Sequence, residues 1–435
     1  MARPGSATGK FGWLLVGVAV AAWGCSSMLG YDEVDFGEVQ PDPDGGAGGI
    51  GPTGGGAGNG GAQAGNAGNG GKTGAGGGAG QGGAAGGSAG AGGGAAGTGG
   101  GAAGTGGGPA GAGGTPPGPC TGVVCGSNQH CEPATKSCVC NPGFVSNGAD
   151  CTPAPAGDPS QHTQQDVCDH WAQGHNITDP SPWTPGPNEC DPGTLSQAGI
   201  TDTLTRMAMF RWMVGLGPVS DDPALNQMDM YCAAVSSWNP PGGGYNPHQP
   251  DPSRKCYTPE GANGAGQSNI AWGSGHPAQA IDQFVQDNGN ETTMGHRRWI
   301  FNPPLGPVGI GYYAGGGPYG NAECLAVFGQ SGGGTTPTWI SFPPPGFSPV
   351  EIVSWMWTFH HSSGVSNATI KVTRQSDSAD LAMTTMPLIQ GFGNYPTIGF
   401  NPSGWSPKAG DVYVVEVGGV GSGTITYEVK PVNCP

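Results

Sequence analysis

Apolar positions fall into four regimes along this chain, and each predicts a different kind of structure. Near the start, Phe11 to Trp23 is one apolar run behind the basic residues Arg3 and Lys10. That is the length of an export signal, and it is too short to span a bilayer comfortably. From about Gly45 to Gly114 there is no periodicity, only Gly and Ala with scattered Thr, Asn and Gln. Such a stretch has nothing to bury and reads as a disordered tether, with a root-mean-square span of roughly 45 Å for about 70 residues. Leu204, Met207, Ala208 and Trp212 then recur at a helical period. They predict a helix capped by Asp202 and stopped by Gly215 and Pro218. From about Thr338 the pattern changes again. Val350 to Phe359, Ala368 to Arg374, Asp411 to Val417 and Thr424 to Lys430 alternate in part, between clusters of Gly, Pro, Ser and Asn. Short alternating runs without a long helical period predict an antiparallel β-sandwich over 338–435.

Composition sharpens the picture at two points. The length of 435 residues suggests about three domains, but 90 glycines and a charged fraction of 10% leave much of the chain with no core to build. Glycine does not fall at every third position, and the tract is poor in proline, so collagen is excluded. Its chance GxGxxG matches neither follow a strand nor open a helix, so they carry no nucleotide-binding meaning. The net charge of −16 argues against nucleic acid or an anionic lipid surface as a main partner.

Thirteen cysteines point to export. The first, in Ala22-Trp23-Gly24-Cys25-Ser26-Ser27, sits in a context that resembles a bacterial lipobox. That resemblance implies a signal peptide over 1–25, lipidation at Cys25 and a tether over 26–117. Ser26 after the cysteine fits an outer-membrane or cell-surface lipoprotein; ordinary cleavage to a secreted or periplasmic protein is the alternative. Six more cysteines crowd into Cys120, Cys125, Cys131, Cys138, Cys140 and Cys151. There is no CxxC and His130 stands alone, which disfavours a zinc knuckle. The closing run Cys138-Val139-Cys140-Asn141-Pro142-Gly143-Phe144, then Cys151, resembles an EGF-like module over 118–153. That likeness implies the bridges Cys120–Cys131, Cys125–Cys138 and Cys140–Cys151. The Pro-Pro-Gly-Pro before Cys120 offers no acidic ligand for calcium. A linker is expected over 154–194. The last six cysteines allow fifteen pairings. Proximity favours Cys168–Cys190 and Cys232–Cys256, leaving Cys324–Cys434.

The stretch 195–332 carries the most chemistry. Gly295-His296-Arg297-Arg298-Trp299-Ile300-Phe301-Asn302, followed by Val308-Gly309-Ile310-Gly311, resembles the signature of the CAP superfamily, also called the SCP domain family. Ser268-Asn269-Ile270-Ala271-Trp272-Gly273 resembles that family's Gly-Glu-Asn-Ile-Ala element, with serine where glutamate stands. Phe284-Val285-Gln286-Asp287 is similar to its aromatic-x-x-Glu step, shortened to aspartate. Arg211 to Leu216 looks like the end of the first helix, where Ala208 replaces the usual asparagine. The resemblance implies an α-β-α sandwich with two histidines and two carboxylates in one cleft. Here that set would be His248, Ser268, Asp287 and His296, so one carboxylate is missing, with Glu260 a possible substitute.

The expected chain is therefore multidomain: tether, cystine module, CAP domain and β-sandwich. Such an architecture suits a surface-anchored binding or adhesion protein for an extracellular lipid, glycan or protein ligand, touching the membrane only through its lipid. The alternative is a metal-assisted hydrolase of peptidase type, with a divalent ion such as zinc on His248 and His296 and with Asp287 as the catalytic carboxylate. No Gly-x-Ser-x-Gly elbow or His-Glu-x-x-His helix accompanies it. The neighbouring His360 and His361 are expected to be one packed and one exposed, because adjacent strand residues face opposite ways.

Overall fold

The computed structural model describes Cys120 and residues 122–435, apart from 127, 133, 240, 243, 329–331, 333–335 and 422. The expected signal peptide, Cys25 and the tether of 26–117 lie outside the described residues. No helix among the described residues is long and apolar enough to cross a membrane.

The cystine-rich segment forms two small hairpins, β1 (Gln129–Glu132) with β2 (Ser137–Cys140) and β3 (Phe144–Asn147) with β4 (Asp150–Pro153). Its bonds are Cys120–Cys131, Cys125–Cys138 and Cys140–Cys151. So few residues bury little apolar surface, and the bonds supply the constraint that a core would otherwise give. The segment rests on the rest of the chain at Gly143, where a Cβ would stand 2.6 Å from Pro218. Only glycine permits that approach, and its φ of +79° favours glycine as well.

Residues 154–194, expected as a linker, are ordered. They carry α1 (Gln164–His175), opened by a Thr163–Asp166 capping box, and the short pair β5 (Trp183–Thr184) and β6 (Thr194–Leu195). His162 and His170 stack on Trp212, each 3.7 Å from it between ring centroids. Trp212 belongs to α2 (Gln197–Met213), which starts earlier than its apolar period suggested. Ser196 caps it by accepting from the Gly199 N–H, while Asp202 lies inside the helix. The Asp202 carboxylate is buried and accepts instead from Thr178 N and Oγ1 at 2.9 and 2.7 Å. A side chain that caps a neighbouring segment is indistinguishable in sequence from one that caps its own helix.

The next stretch is layered. A three-stranded antiparallel sheet runs in the order β7 (Ser268–Trp272), β9 (Ala322–Ala326), β8 (Gly309–Tyr313). On one face lies α3 (Pro223–Trp238), with α4 (Pro259–Ala265) against it. The glycines of Val308-Gly309-Ile310-Gly311 make this possible: a Cβ on Gly311 would stand 2.0 Å from the Asp229 backbone. On the other face lies α5 (Pro277–Gln286), with α2 alongside it. There Ile281 and Phe284 share a core with Ile310 and Leu325. Next comes the short α6 (Gly295–Ile300).

The C-terminal residues build two further sheets. One orders β10 (Trp339–Phe342), β12 (Trp357–His361), β16 (Thr397–Pro402) and β15 (Met383–Pro387), all antiparallel. The other orders β11 (Gly346–Pro349), β18 (Gly423–Val432), β17 (Tyr413–Val420), β13 (Thr369–Arg374) and β14 (Ala379–Leu381). In this sheet β11 joins β18 in parallel, a departure from the all-antiparallel expectation. Trp339 and Phe359 of the first sheet meet Tyr427 of the second, at 5.5 and 6.4 Å between ring centroids. The first four residues of the expected strand 350–359 are instead helical, as α7 (Val350–Val353). His360 and His361 are both buried, not one packed and one exposed. His360 lies between Thr358 and Thr397, 3.0 Å from each hydroxyl.

A continuous apolar core runs from Val167 to Val429, so the helical layers and the C-terminal sheets are not separate cores. Buried arginines stitch them together. Arg297 donates to the carbonyl oxygens of Val285, Gln286 and Met356, and Arg298 to those of Thr293 and Ile389. Arginine suits this role because its guanidinium fork serves several acceptors at once. The last six cysteines follow the same logic, and the proximity pairing is corrected. The bonds are Cys168–Cys434, Cys190–Cys256 and Cys232–Cys324. Each joins different elements: α1 to the C-terminus, the loop before β6 to the loop before α4, and α3 to β9.

Candidate functional site

The local folding that positions His296 begins at the end of α5. Asp287 ends that helix in the left-handed region at φ 56°, which turns the chain and aims its carboxylate back towards α6. Asp287 Oδ1 accepts from His296 Nδ1 at 2.9 Å and from Asn290 Nδ2 at 2.9 Å, and Oδ2 receives the Arg297 N–H at 3.3 Å. The carboxylate is fully buried, whereas the His296 side chain keeps 24% of its surface exposed. A carboxylate on Nδ1 orients the ring and turns Nε2 away from Asp287. The His296 carbonyl accepts from Asn269 Nδ2 at 3.1 Å, which ties α6 to β7.

His248 enters from the loop between α3 and α4. Its Nδ1–H donates to the Ala265 carbonyl at 2.9 Å, at the C-terminal end of α4. Burial pulls this imidazole down to about 4, against the opposing hydrogen bond to Ala265, and the charge of nearby His296 lowers it further. His248 is therefore neutral at pH 7. Of the four positions that sequence singled out, the structure brings His248, His296 and Asp287 into one neighbourhood.

Ser268 goes elsewhere. It is buried, with its hydroxyl 2.9 Å from Asp229 Oδ1 and 2.7 Å from the Gly264 carbonyl. Glu260, the possible substitute, is exposed in the first turn of α4. Among the described residues, no group of three or more His, Cys, Asp or Glu side chains converges in a way that would hold a metal ion. The Asp287 carboxylate is already engaged by a histidine, an amide and a backbone N–H, so His248 and His296 lack an acidic third ligand. These residues do not make a complete catalytic metal site.

Two buried acids escaped sequence reasoning. Asp229 faces β9 from α3, where its Oδ2 accepts the Ala326 N–H at 2.6 Å. Burial raises it to about 7, although the hydrogen bonds from Ser268 and Ala326 oppose the rise. Glu323, in the middle strand, is fully buried, and neither of its oxygens has a hydrogen-bond partner. Burial first, and the Asp229 charge second, raise it well above the ordinary carboxylate range. The sequence signal was an acid inside an otherwise apolar run: Met228-Asp229-Met230 and Ala322-Glu323-Cys324-Leu325. An acid in such a run is either buried or a sign that the element is misread.

No protein-family model matches the chain, and neither the curated proteins nor the solved structures yield a match.

Proposed function

We propose that this chain is an exported, lipid-anchored binding protein with a CAP-type histidine cleft that recognises an extracellular ligand (a lipid, glycan or protein) without chemistry. One observation carries the reading: the residue at the expected glutamate position, Ser268, is buried against Asp229 and Gly264 and supplies no general base to the cleft. The helix–sheet–helix layering of α5, the three-stranded sheet and α3 supports the CAP assignment, and the three short-range disulfides support the EGF-like one. The net charge of −16 keeps nucleic acid out of the set of partners.

Metal-assisted hydrolysis is the competing reading, and two assays separate them. Purified protein incubated with casein and with peptidoglycan is expected to show no turnover, with or without chelator; chelator-sensitive hydrolysis would reverse the proposal. Calorimetric titration with zinc at pH 7 is expected to show at most weak binding. Any such binding is expected to disappear in the His248→Ala, His296→Ala double variant.

The anchor has its own test. Cells given an alkyne fatty acid are expected to label the wild-type protein and not Cys25→Ala. Equal label in both, or none in either, would point to ordinary cleaved export.

A further inference from the structure

The geometry points to Asp229 as a positioning residue for His248, acting through Ser268 and the end of α4 as a proton-controlled hydrogen-bond switch. This rests on the reading that His248 lines the binding cleft. The inference starts from a count of protons. Ser268 Oγ carries one hydrogen, yet it stands 2.9 Å from Asp229 Oδ1 and 2.7 Å from the Gly264 carbonyl. A carbonyl only accepts. Two full hydrogen bonds, in place of one hydrogen shared between two acceptors, need Asp229 Oδ1 to be protonated and to donate to Ser268, which then donates to Gly264. The other oxygen, Oδ2, already accepts from the Ala326 N–H at 2.6 Å, which leaves Oδ1 as the protonated one.

Ionisation changes the arrangement. A carboxylate is the stronger acceptor, so the Ser268 hydroxyl turns to Asp229 and the Gly264 carbonyl loses it. Gly264 keeps only backbone donors, among them Gln267 N at 3.0 Å. The next carbonyl in the chain, that of Ala265, is the one that holds the His248 ring. The last turn of a helix this short is stabilised by such side-chain bonds, and losing one loosens the anchor of His248.

The surroundings leave Asp229 free of compensating charge. From β9 comes Glu323, itself a buried acid. From β8 come only Tyr312 and Tyr313, and β7 carries no titratable side chain. Glu260, the one charged residue of α4, is exposed at the far end of that helix. Burial without a nearby cation raises Asp229 to about 7, which puts the switch near neutral pH.

The test follows the imidazole of His248 in the full chain, labelled with 15N-histidine, from about pH 5.5 to 8.5, a window above the ring's own titration. His248→Gln identifies the resonance. In the wild type the ring signal is expected to step with a midpoint of about 7. In Asp229→Asn the step is expected to vanish and the signal to stay at its low-pH position. The asparagine oxygen would face the Ala326 N–H while its amide donates permanently to Ser268. In Ser268→Ala the step is expected to shrink because the relay is cut. A step that persists at full size in either variant, or a flat wild-type trace, would overturn the inference. The readout needs no ligand, so a failed search for one leaves it standing. A flat trace, in turn, leaves the binding reading untouched.

Discussion

Replacing Glu323 with methionine is expected to stabilise the protein by about 2 kcal/mol at pH 8, and by less at pH 4. Glu323 is fully buried in β9 with neither oxygen bonded, beside Ala271 and Tyr312 on the neighbouring strands. Methionine is unbranched, of similar length and tolerant of irregular space. It removes two desolvated oxygens without opening a cavity. The pH dependence follows from the direction of the shift. Glu323 titrates well above its ordinary value when folded. Its protonated form therefore contributes fully below the unfolded value of about 4.3, and that contribution is lost as pH rises towards the folded value. Methionine has no proton to lose, so the gap between variant and wild type widens with pH. Urea midpoints at the two pH values measure it. A variant less stable than the wild type at both would mean that the carboxyl has a partner in solution.

Removing the Cys168–Cys434 bond is expected to be the most damaging single disulfide loss. It spans 266 residues, whereas Cys120–Cys131 spans 11. In the chain-entropy account, the long bond is worth about 5 kcal/mol and the short one about 3. For a body of this size, the Cys168→Ser, Cys434→Ser variant should melt about 10 °C lower. A shift no larger than that of a Cys120→Ser, Cys131→Ser variant would show that noncovalent packing already holds the C-terminus on α1.

Where neighbouring residues decide an element, the sequence was readable. The apolar period of α2 and the alternation of β13, β17 and β18 predicted structure near the observed positions. What was missed depends on contacts far apart in the chain. Asp202 read as a cap because its true partner, Thr178, lies in another segment. Val350–Val353 alternates like a strand but turns into α7. One of His360 and His361 was expected at the surface, yet both are enclosed by the packed sheets. Cysteine pairing by proximity failed for the last six because each bond joins elements that only the tertiary fold brings together. At the candidate site, the His296–Asp287 pair lies on adjacent elements, α5 and α6, and was within reach of pattern reading. Asp229 was not, because its partners Ser268 and Ala326 are 39 and 97 residues away.

The interleaving of those last three bonds bears on how the molecule can be made. A chain that enters an oxidising compartment from its N-terminus presents Cys168 and Cys190 first, and neither is the other's native partner. Cys232 and Cys256 come next and are likewise mismatched. Oxidation as fast as emergence would lock in consecutive pairs, and the native set would then form only by thiol–disulfide exchange. Correct maturation therefore depends on either slow oxidation until Cys434 has arrived or an isomerase that reshuffles early bonds. An expression host without one would accumulate full-length protein with every cysteine oxidised and the wrong ones joined.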